Sequence, residues 1–397
     1  MMRTKKSFRL EVLPLLAALA ANAAAQAFLL VLLPSLGRDL GFDALETGLL
    51  LSSAALFLVL FAPAWGKISE RAGRKPVLLI GLAGAALGPL LIAIVISFRI
   101  DEALDRIPAL ILLFAARAAQ SMLSAGLLPA AQAWMADRTA PENRAEGMGL
   151  LGASYGIGGI LGAGLAFVVG GTHPLVALVS LATLVLFGFG LVFAKVTDRT
   201  TSAMAQSLPY PHLDMRRIAP GLAITLIGVC VYAIMQHVTA LRLEDSMDLS
   251  RPDAISSGGA ALMGAAIVMA LTQTFGIGKL RRPPHHLIRI GAAAGVLSLA
   301  GVTLATTPAA LFASLLVLGG ALGILLPGNL ALISIKAGMN AQGRAAGVNA
   351  VAQGLAMAAG PVAGAALHRL SPLAPGAASV ILMLAALIIG LGVREKS

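Results

Sequence analysis

The side chain with the most chemistry to offer is Arg117, the one clearly charged residue in the interior of an apolar run of this sequence. A cation near the middle of a membrane helix costs about 3 kcal/mol on insertion scales, so it needs an interior position and a partner. Its planar fork of donors fits a carboxylate. Against that reading, Arg117 follows Pro108 by nine residues, near enough to the end of the run for a long side chain to snorkel back to water. Gln120 lies one helical turn further on. Asn22 and Gln26 are four apart, hence on one helical face. Gln236 and His237 adjoin in another apolar run and Asn329 sits in a third, with Gln273, Asn349 and Gln353 completing the set. Each alone can be a helix–helix hydrogen bond; together they form a polar group inside apolar segments. His237 is the candidate proton carrier, because imidazole titrates near physiological pH.

Missing residue types matter equally. No Asp or Glu lies deep in an apolar run; Glu46, Glu244, Asp245, Asp248 and Asp253 fall near run ends. The single cysteine, Cys230, allows neither a disulfide framework nor a cysteine-based metal site. There is no nucleotide-binding loop and no interfacial Asp, His or Cys cluster of the kind a lipid-modifying membrane enzyme needs. The chain is therefore read as a non-enzyme without catalytic residues, metal or cofactor.

Helices must hold these groups. Of 397 residues, 58% are hydrophobic and 12% are charged, against about 25% charged in soluble domains. The apolar residues come in blocks of about twenty, the length that spans a hydrocarbon core about 30 Å thick. In lipid such blocks must be helices, since their backbone groups have no water to bond. Twelve are predicted, at 11–35, 44–65, 77–98, 108–133, 147–170, 175–195, 218–240, 254–277, 288–306, 309–333, 346–368 and 376–393. The first begins after Arg3, Lys5, Lys6 and Arg9 and runs past Phe28, longer than a cleavable signal's apolar core. The net charge of +11 belongs to the connections. Lys67, Arg71, Arg74, Lys75, Arg138, Arg144, Lys195, Arg216, Arg217, Arg289 and Lys336 fall on the side of the N-terminus. Arg38, Arg99, Arg106, Arg242, Arg251 and Arg369 fall on the other. Such asymmetry predicts cytoplasmic termini in a bacterial-type inner (plasma) membrane, and it removes the case for a nucleic-acid partner.

A polar stretch from Thr197 to Arg217 divides the chain, and matching residues sit about 200 positions apart: Pro129 with Pro327, Arg144 with Arg344, Gly147 with Gly347, Gly164 with Gly364. The expected plan is an all-α membrane protein of two pseudo-symmetric six-helix halves, 1–196 and 218–397, joined by a linker at 197–217.

The string Gly66–Gly81, GKISERAGRKPVLLIG, resembles the signature loop of the major facilitator superfamily. Gly66, Glu70, Arg71, Gly73, Arg74 and Lys75 fill its places, with Glu70 where Asp is usual. Gly73 suits a tight helix hairpin, and Glu70 suits the positive N-terminal end of a neighbouring helix. The loop of the second half, Gly278–His286, lacks the pattern. Arg117 to Gln120 resembles the Arg-x-x-Gln motif of the drug:proton antiporter branch, with Ser121 in place of a usual Gly. Gly152–Gly164, GASYGIGGILGAG, resembles that branch's glycine motif, with Ala163 in place of a usual proline; the second half keeps Gly360, Pro361 and Gly364.

The resemblance implies alternating access about a central site lined by spans one, four, seven and ten. The implied substrate contacts are Asn22, Gln26, Arg117, Gln120, Gln236, His237 and Asn329. Proton coupling would fall to Arg117 and His237, and control of conformation to the Gly66–Lys75 loop with Asp137 and Arg144. Helix packing would fall to Gly156, Gly162, Gly360, Pro361 and Gly364. Cation exporters of the branch commonly use a buried carboxylate, which this chain lacks. The expected function is thus proton-coupled export of a small neutral or anionic molecule, siderophore-like or organic-acid-like, by a monomer in contact with lipid. Multidrug efflux of lipophilic compounds and facilitated uptake of a metabolite are the alternatives.

Overall fold

In the computed structural model, which describes residues 5–138, 144–198, 213–273, 282–337 and 341–393, the chain is helical and holds no strand among the described residues. The helices are α1 (Lys5–Asp39), α2 (Ala44–Ala72), α3 (Arg74–Ile100), α4 (Arg106–Ser124), α5 (Leu127–Ala136), α6 (Arg144–Leu165), α7 (Pro174–Lys195), α8 (Met215–Met247), α9 (Arg251–Leu271), α10 (Pro284–Leu304), α11 (Pro308–Ala337), α12 (Gln342–Leu370) and α13 (Ala374–Gly392). They make twelve spans long and apolar enough to cross a membrane, one for each predicted block. Leu297, Leu304 and Ile381 are 73%, 78% and 67% exposed; apolar surface of this kind suits lipid rather than water.

The two closest pairs of blocks stay separate. The chain turns at Gly171–His173 and restarts at Pro174, and it leaves helix at Ala305 before Pro308, because proline opens a helix readily and continues one poorly. The fourth span departs from a single helix. The Trp65 indole N–H donates to the Met122 carbonyl at 2.6 Å, the oxygen that the Gly126 amide would take in a regular helix. The span breaks there into α4 and α5, with room for a β-carbon at Gly126 closed off by Val77 Cγ1 at 2.6 Å. In the second half Pro327, the counterpart of Pro129, lies inside an unbroken α11.

Contacts group the chain into two units: Met1–Leu32 with Asp39–Phe42 and Ser53–Ala205, and Leu33–Arg38 with Asp43–Ser52 and Gln206–Ser397. The ends of α1 and α2 that face each other across their turn thus count largely with the second unit, a feature the linear division at the linker does not contain. Helix α8 also starts inside the expected linker, at Met215, with the Asp214 carboxylate accepting from the Arg216 amide at 3.0 Å.

The first unit packs Leu15, Leu19, Leu78, Leu82, Trp134 and Val185 into its core. Gly158 and Gly162 bring α6 against α1 so closely that a β-carbon on either would collide with the backbone of Ala20 or Ala24. The contact expected at Gly156 is made by Gly158 instead, since among the described residues nothing lies within 4 Å of a β-carbon at Gly156; the two positions face about 200° apart on a helix.

The second unit is built on Val231, Ile234, Leu299, Leu315, Leu322 and Met383. Gly360 abuts Ala233, and Gly364 lies 3.1 Å from Val238 Cγ1 by its virtual β-carbon. Pro361 meets the start of α2: its carbonyl would lie 2.9 Å from a β-carbon on Gly48, and the Val362 amide donates to Ser52 Oγ at 3.0 Å. Arg242 donates to the carbonyls of Thr303 (2.9 Å) and Ala305 (3.0 Å), groups that the end of α10 leaves without helical partners.

Candidate functional site

In the first unit the structure gathers four of the expected residues. Arg117 is 4% exposed. Its Nη1 donates to Gln120 Oε1 at 2.6 Å, and both terminal nitrogens donate to Gln26 Oε1 at 3.2 Å. One helical turn separates Arg117 from Gln120, and Gly88 on α3 leaves the space that the Gln120 side chain fills. Asn22, one turn before Gln26, lies buried with its amide against the Tyr155 hydroxyl of α6. Arg117 snorkels nowhere: it points into the unit.

The electrostatics of this cluster are lopsided. A guanidinium stays protonated in proteins, yet among the described residues only amide oxygens, and no carboxylate, receive it. Arg117 Nε, Gln120 Nε2 and Asn22 Oδ1 are buried with no hydrogen-bond partner among the described residues. Buried polar atoms are rarely left so. The cluster therefore presents spare donors at Arg117 Nε and Gln120 Nε2 with one net positive charge, which an anionic or oxygen-rich group would satisfy, and a spare acceptor at Asn22 Oδ1, which needs a donor from that group. Tyr155 was not singled out by sequence; a tyrosine within a run of glycines, Gly152 to Gly164, is the signal that would have found it.

The second unit does not assemble its three. Gln236 and His237 are adjacent on α8 and buried, with Gln236 Oε1 and both imidazole nitrogens lacking regular hydrogen bonds among the described residues. The His237 ring lies against the backbone of Ala44. Asn329 instead donates to Gly221 O at 2.8 Å and to Thr225 Oγ1 at 2.9 Å, and Thr225 donates to Asn349 Oδ1 at 2.6 Å. Thr225 and Gln236 are eleven residues apart, about 16 Å along a helix. Asn329 and Asn349 thus lace α8, α11 and α12 together well away from His237.

In the first unit's signature loop, α2 and α3 are separated by Gly73 alone. Its φ of +96° with ψ of 164° belongs to a region essentially reserved for glycine. A β-carbon there would collide with the Asp198 carboxylate, which caps α3 by accepting from the Lys75 amide at 2.9 Å. Arg74 Nη1 donates to Ser69 O at 2.7 Å, its Nε reaches Asp137 at 3.3 Å, and Lys75 Nζ donates to Phe193 O at 2.7 Å. Arg71 and Lys67 are exposed, and a β-carbon at Gly66 would meet nothing within 4 Å among the described residues. The expected roles of the Glu70 and Arg144 side chains lie outside the described residues, as does the first part of the corresponding second-half loop, residues 278–281. Gly73→Ala is expected to cost about 1–3 kcal/mol through backbone strain and to displace Asp198. Thermal unfolding of the purified variant reads the loss; an unchanged midpoint would mean that the hairpin yields freely.

Against known proteins, the family model described as Major Facilitator Superfamily matches residues 15–361. The class G tetracycline resistance protein of Vibrio anguillarum is 30% identical over 329 residues, covering 81% of this chain and 80% of that protein. The class C tetracycline resistance protein of Escherichia coli is 30% identical over 356 residues, covering 85% of each. Among solved structures, the human organic anion transporter MFSD10 (TETRAN) superposes with a TM-score of 0.70 at 18% identity, covering 98% of this chain and 100% of that one. An inward-facing bacterial homologue of the human lysosomal transporter Spinster gives 0.74 at 13% identity, covering 98% and 97%. Those two likenesses bear on the fold; the match of the family model over most of the chain carries the assignment. The chain belongs to the Major Facilitator Superfamily and is a multi-pass membrane transporter of a small-molecule substrate.

Proposed function

We propose that the chain is a proton-coupled exporter of a small organic molecule bearing an anionic or strongly oxygen-donating group, working by alternating access in a bacterial-type inner membrane with cytoplasmic termini. The observation that carries this is Arg117: a buried guanidinium held, among the described residues, by amide oxygens alone, with its Nε and the neighbouring Gln120 Nε2 left as spare donors. An incoming carboxylate, hydroxamate or enolate oxygen would complete it with charge-assisted hydrogen bonds, about twice as strong as neutral ones. A cationic drug would meet repulsion there. Siderophore-like molecules and organic acids fit this chemistry.

Drug efflux is the second reading, favoured by the tetracycline resistance proteins that match over more than four-fifths of the chain. Both readings share a route outward and separate by cargo. Substrate-driven proton movement in proteoliposomes decides between them, offering organic acids, hydroxamates, tetracycline and a lipophilic cation. Movement with acids or hydroxamates supports the first reading, and movement with tetracycline alone supports the second. Movement with the lipophilic cation alone removes Arg117 from the argument.

His237 supplies the proton-carrying imidazole in this reading. His237→Ala is expected to weaken the pH dependence of transport, because its imidazole is fully buried within a span and imidazole titrates in the physiological range. Transport rates measured across pH test it, and an unchanged profile excludes the role.

A further inference from the structure

Charged groups the transport site does not use collect where α1 ends and α2 begins, all within the second unit. Arg38 reaches the Asp245 carboxylate with both arms of its fork, Nη1 to Oδ1 and Nη2 to Oδ2, the latter at 2.6 Å. The same guanidinium lies 3.4 Å from Glu244. Arg251 reaches the same Glu244 oxygen, Oε1, at 2.9 Å. The His368 side chain, 4% exposed, places Nε2 at 2.7 Å from Asp245 Oδ2. Arg242 donates to carbonyls at the end of α10 while its charge still acts on His368, and Arg369 stands 3.8 Å from Asp43. His237 faces His368 from the preceding turns of α8. The charged and titratable groups that face the pair among the described residues are Arg38 and Asp43 from the α1–α2 segment, His237, Arg242, Glu244 and Asp245 from α8, Arg251 from α9, and His368 and Arg369 from α12.

This cluster fastens a particular piece of chain. Residues 33–38 and 43–52 lie on α8 and α12 through Arg38, through Gly48 against Pro361 and Ala365, and through Ser52, whose oxygen takes the Val362 amide. Ala44 packs on Leu241 and Ala365 beneath them. Leu33, Leu36, Leu50 and Leu51 of the segment are buried as well, and the bidentate ion pair is its charge-assisted tie. It is also the one tie that a proton can replace. With Arg38 withdrawn, Asp245 keeps only His368, and a carboxylate without its guanidinium is the better proton acceptor.

We propose that Arg38, Asp245 and His368 form a proton-released latch: the Arg38 fork holds the α1–α2 segment on α8 and α12, and a proton taken up by the Asp245–His368 pair stabilises the state in which that segment has lifted away. The proposal rests on the alternating-access reading only for the use the molecule makes of the motion. By linkage, acid on this face shifts the equilibrium toward release, by at most about tenfold per pH unit for one proton.

The test measures a distance and needs no substrate. Spin labels are placed through Leu49→Cys and Leu373→Cys, both on the surface at 43% and 47% exposure, in a Cys230→Ala background. Electron–electron distance distributions are recorded in nanodiscs from about pH 8 to about pH 5.5, the interval in which imidazole titrates. The latch predicts one short distance at high pH and a growing longer population on acidification. Asp245→Asn and Arg38→Gln should each populate the longer distance at both ends of the range, with little pH response left. His368→Gln should keep the short distance at high pH and move the response to lower pH. A short distance that persists in both Asp245→Asn and Arg38→Gln overturns the proposal, as does a full pH response in Asp245→Asn. Because no cargo is present, a failed transport assay would leave this result standing, and a failed latch would leave the export reading intact.

Discussion

Arg117→Ala is expected to lower transport about a hundredfold or more, with the protein still inserted and monodisperse in detergent. The estimate is the loss of roughly 3 kcal/mol, about what one or two charge-assisted hydrogen bonds contribute. Removing the guanidinium leaves Gln26 Oε1 and Gln120 Oε1 without the donor they now share, so the variant also unsettles the cluster. Arg117→Lys separates those two consequences. Lysine keeps the charge and its insertion cost but offers a point donor in place of a planar fork, so it should recover binding only in part, with a raised KM. Initial rates over a range of substrate concentrations, in proteoliposomes reconstituted to equal protein content, make the comparison. Normal transport by Arg117→Ala would reduce the residue to a packing element and withdraw the anionic-cargo reading with it.

Gly162→Val should be the most damaging single change to assembly. The position faces the Ala24 carbonyl and the Ala27 methyl of α1, with no room for a β-carbon. Backbone cannot swing aside as a side-chain tip can, so α6 and α1 would have to separate. Overpacking in a close-packed interior typically costs about 1–3 kcal/mol, occasionally more, and helix contacts in lipid depend on such close approach. At Gly156, less than two turns earlier on the same helix, a β-carbon meets nothing within 4 Å among the described residues, so Gly156→Val should assemble like the parent chain. Size-exclusion profiles of the two variants, expressed side by side, show the contrast. Equal behaviour would mean that the glycines act by helix flexibility and not by packing.

Which parts of this molecule a single sequence discloses follows from what each feature depends on. Span number depends on length and hydropathy, local quantities, and all twelve spans follow from them. Arg117 with Gln120 and Asn22 with Gln26 are pairs on one helical face, again local. The residues between helices were harder. Arg38, Glu244 and Asp245 read as ordinary charges at run ends and His368 does not stand out, because their meeting depends on how the α1–α2 segment lies on α8 and α12, which no spacing along one helix encodes. Asn329 shows the same limit from the other side: its type and depth match a site residue, but the register of α11 on α8 sets it against Gly221 and Thr225. The break in the fourth span was hidden for a third reason. It rests on one indole, Trp65, intercepting a carbonyl fifty-seven positions away.

Helices α1 and α2 each change allegiance within their length, α1 between Leu32 and Leu33 and α2 between Ser52 and Ser53. Pro34, at the first of these points, donates no hydrogen bond to the helix ladder. A gene cut at the linker would therefore yield two incomplete products. The fragment from Gln206 onward would lack the guanidinium that faces Asp245 and the small-residue surface that covers Pro361 and Ala365, while the fragment before it would carry that surface with nothing to rest on. Co-expressed fragments should rescue each other's accumulation where either alone is degraded.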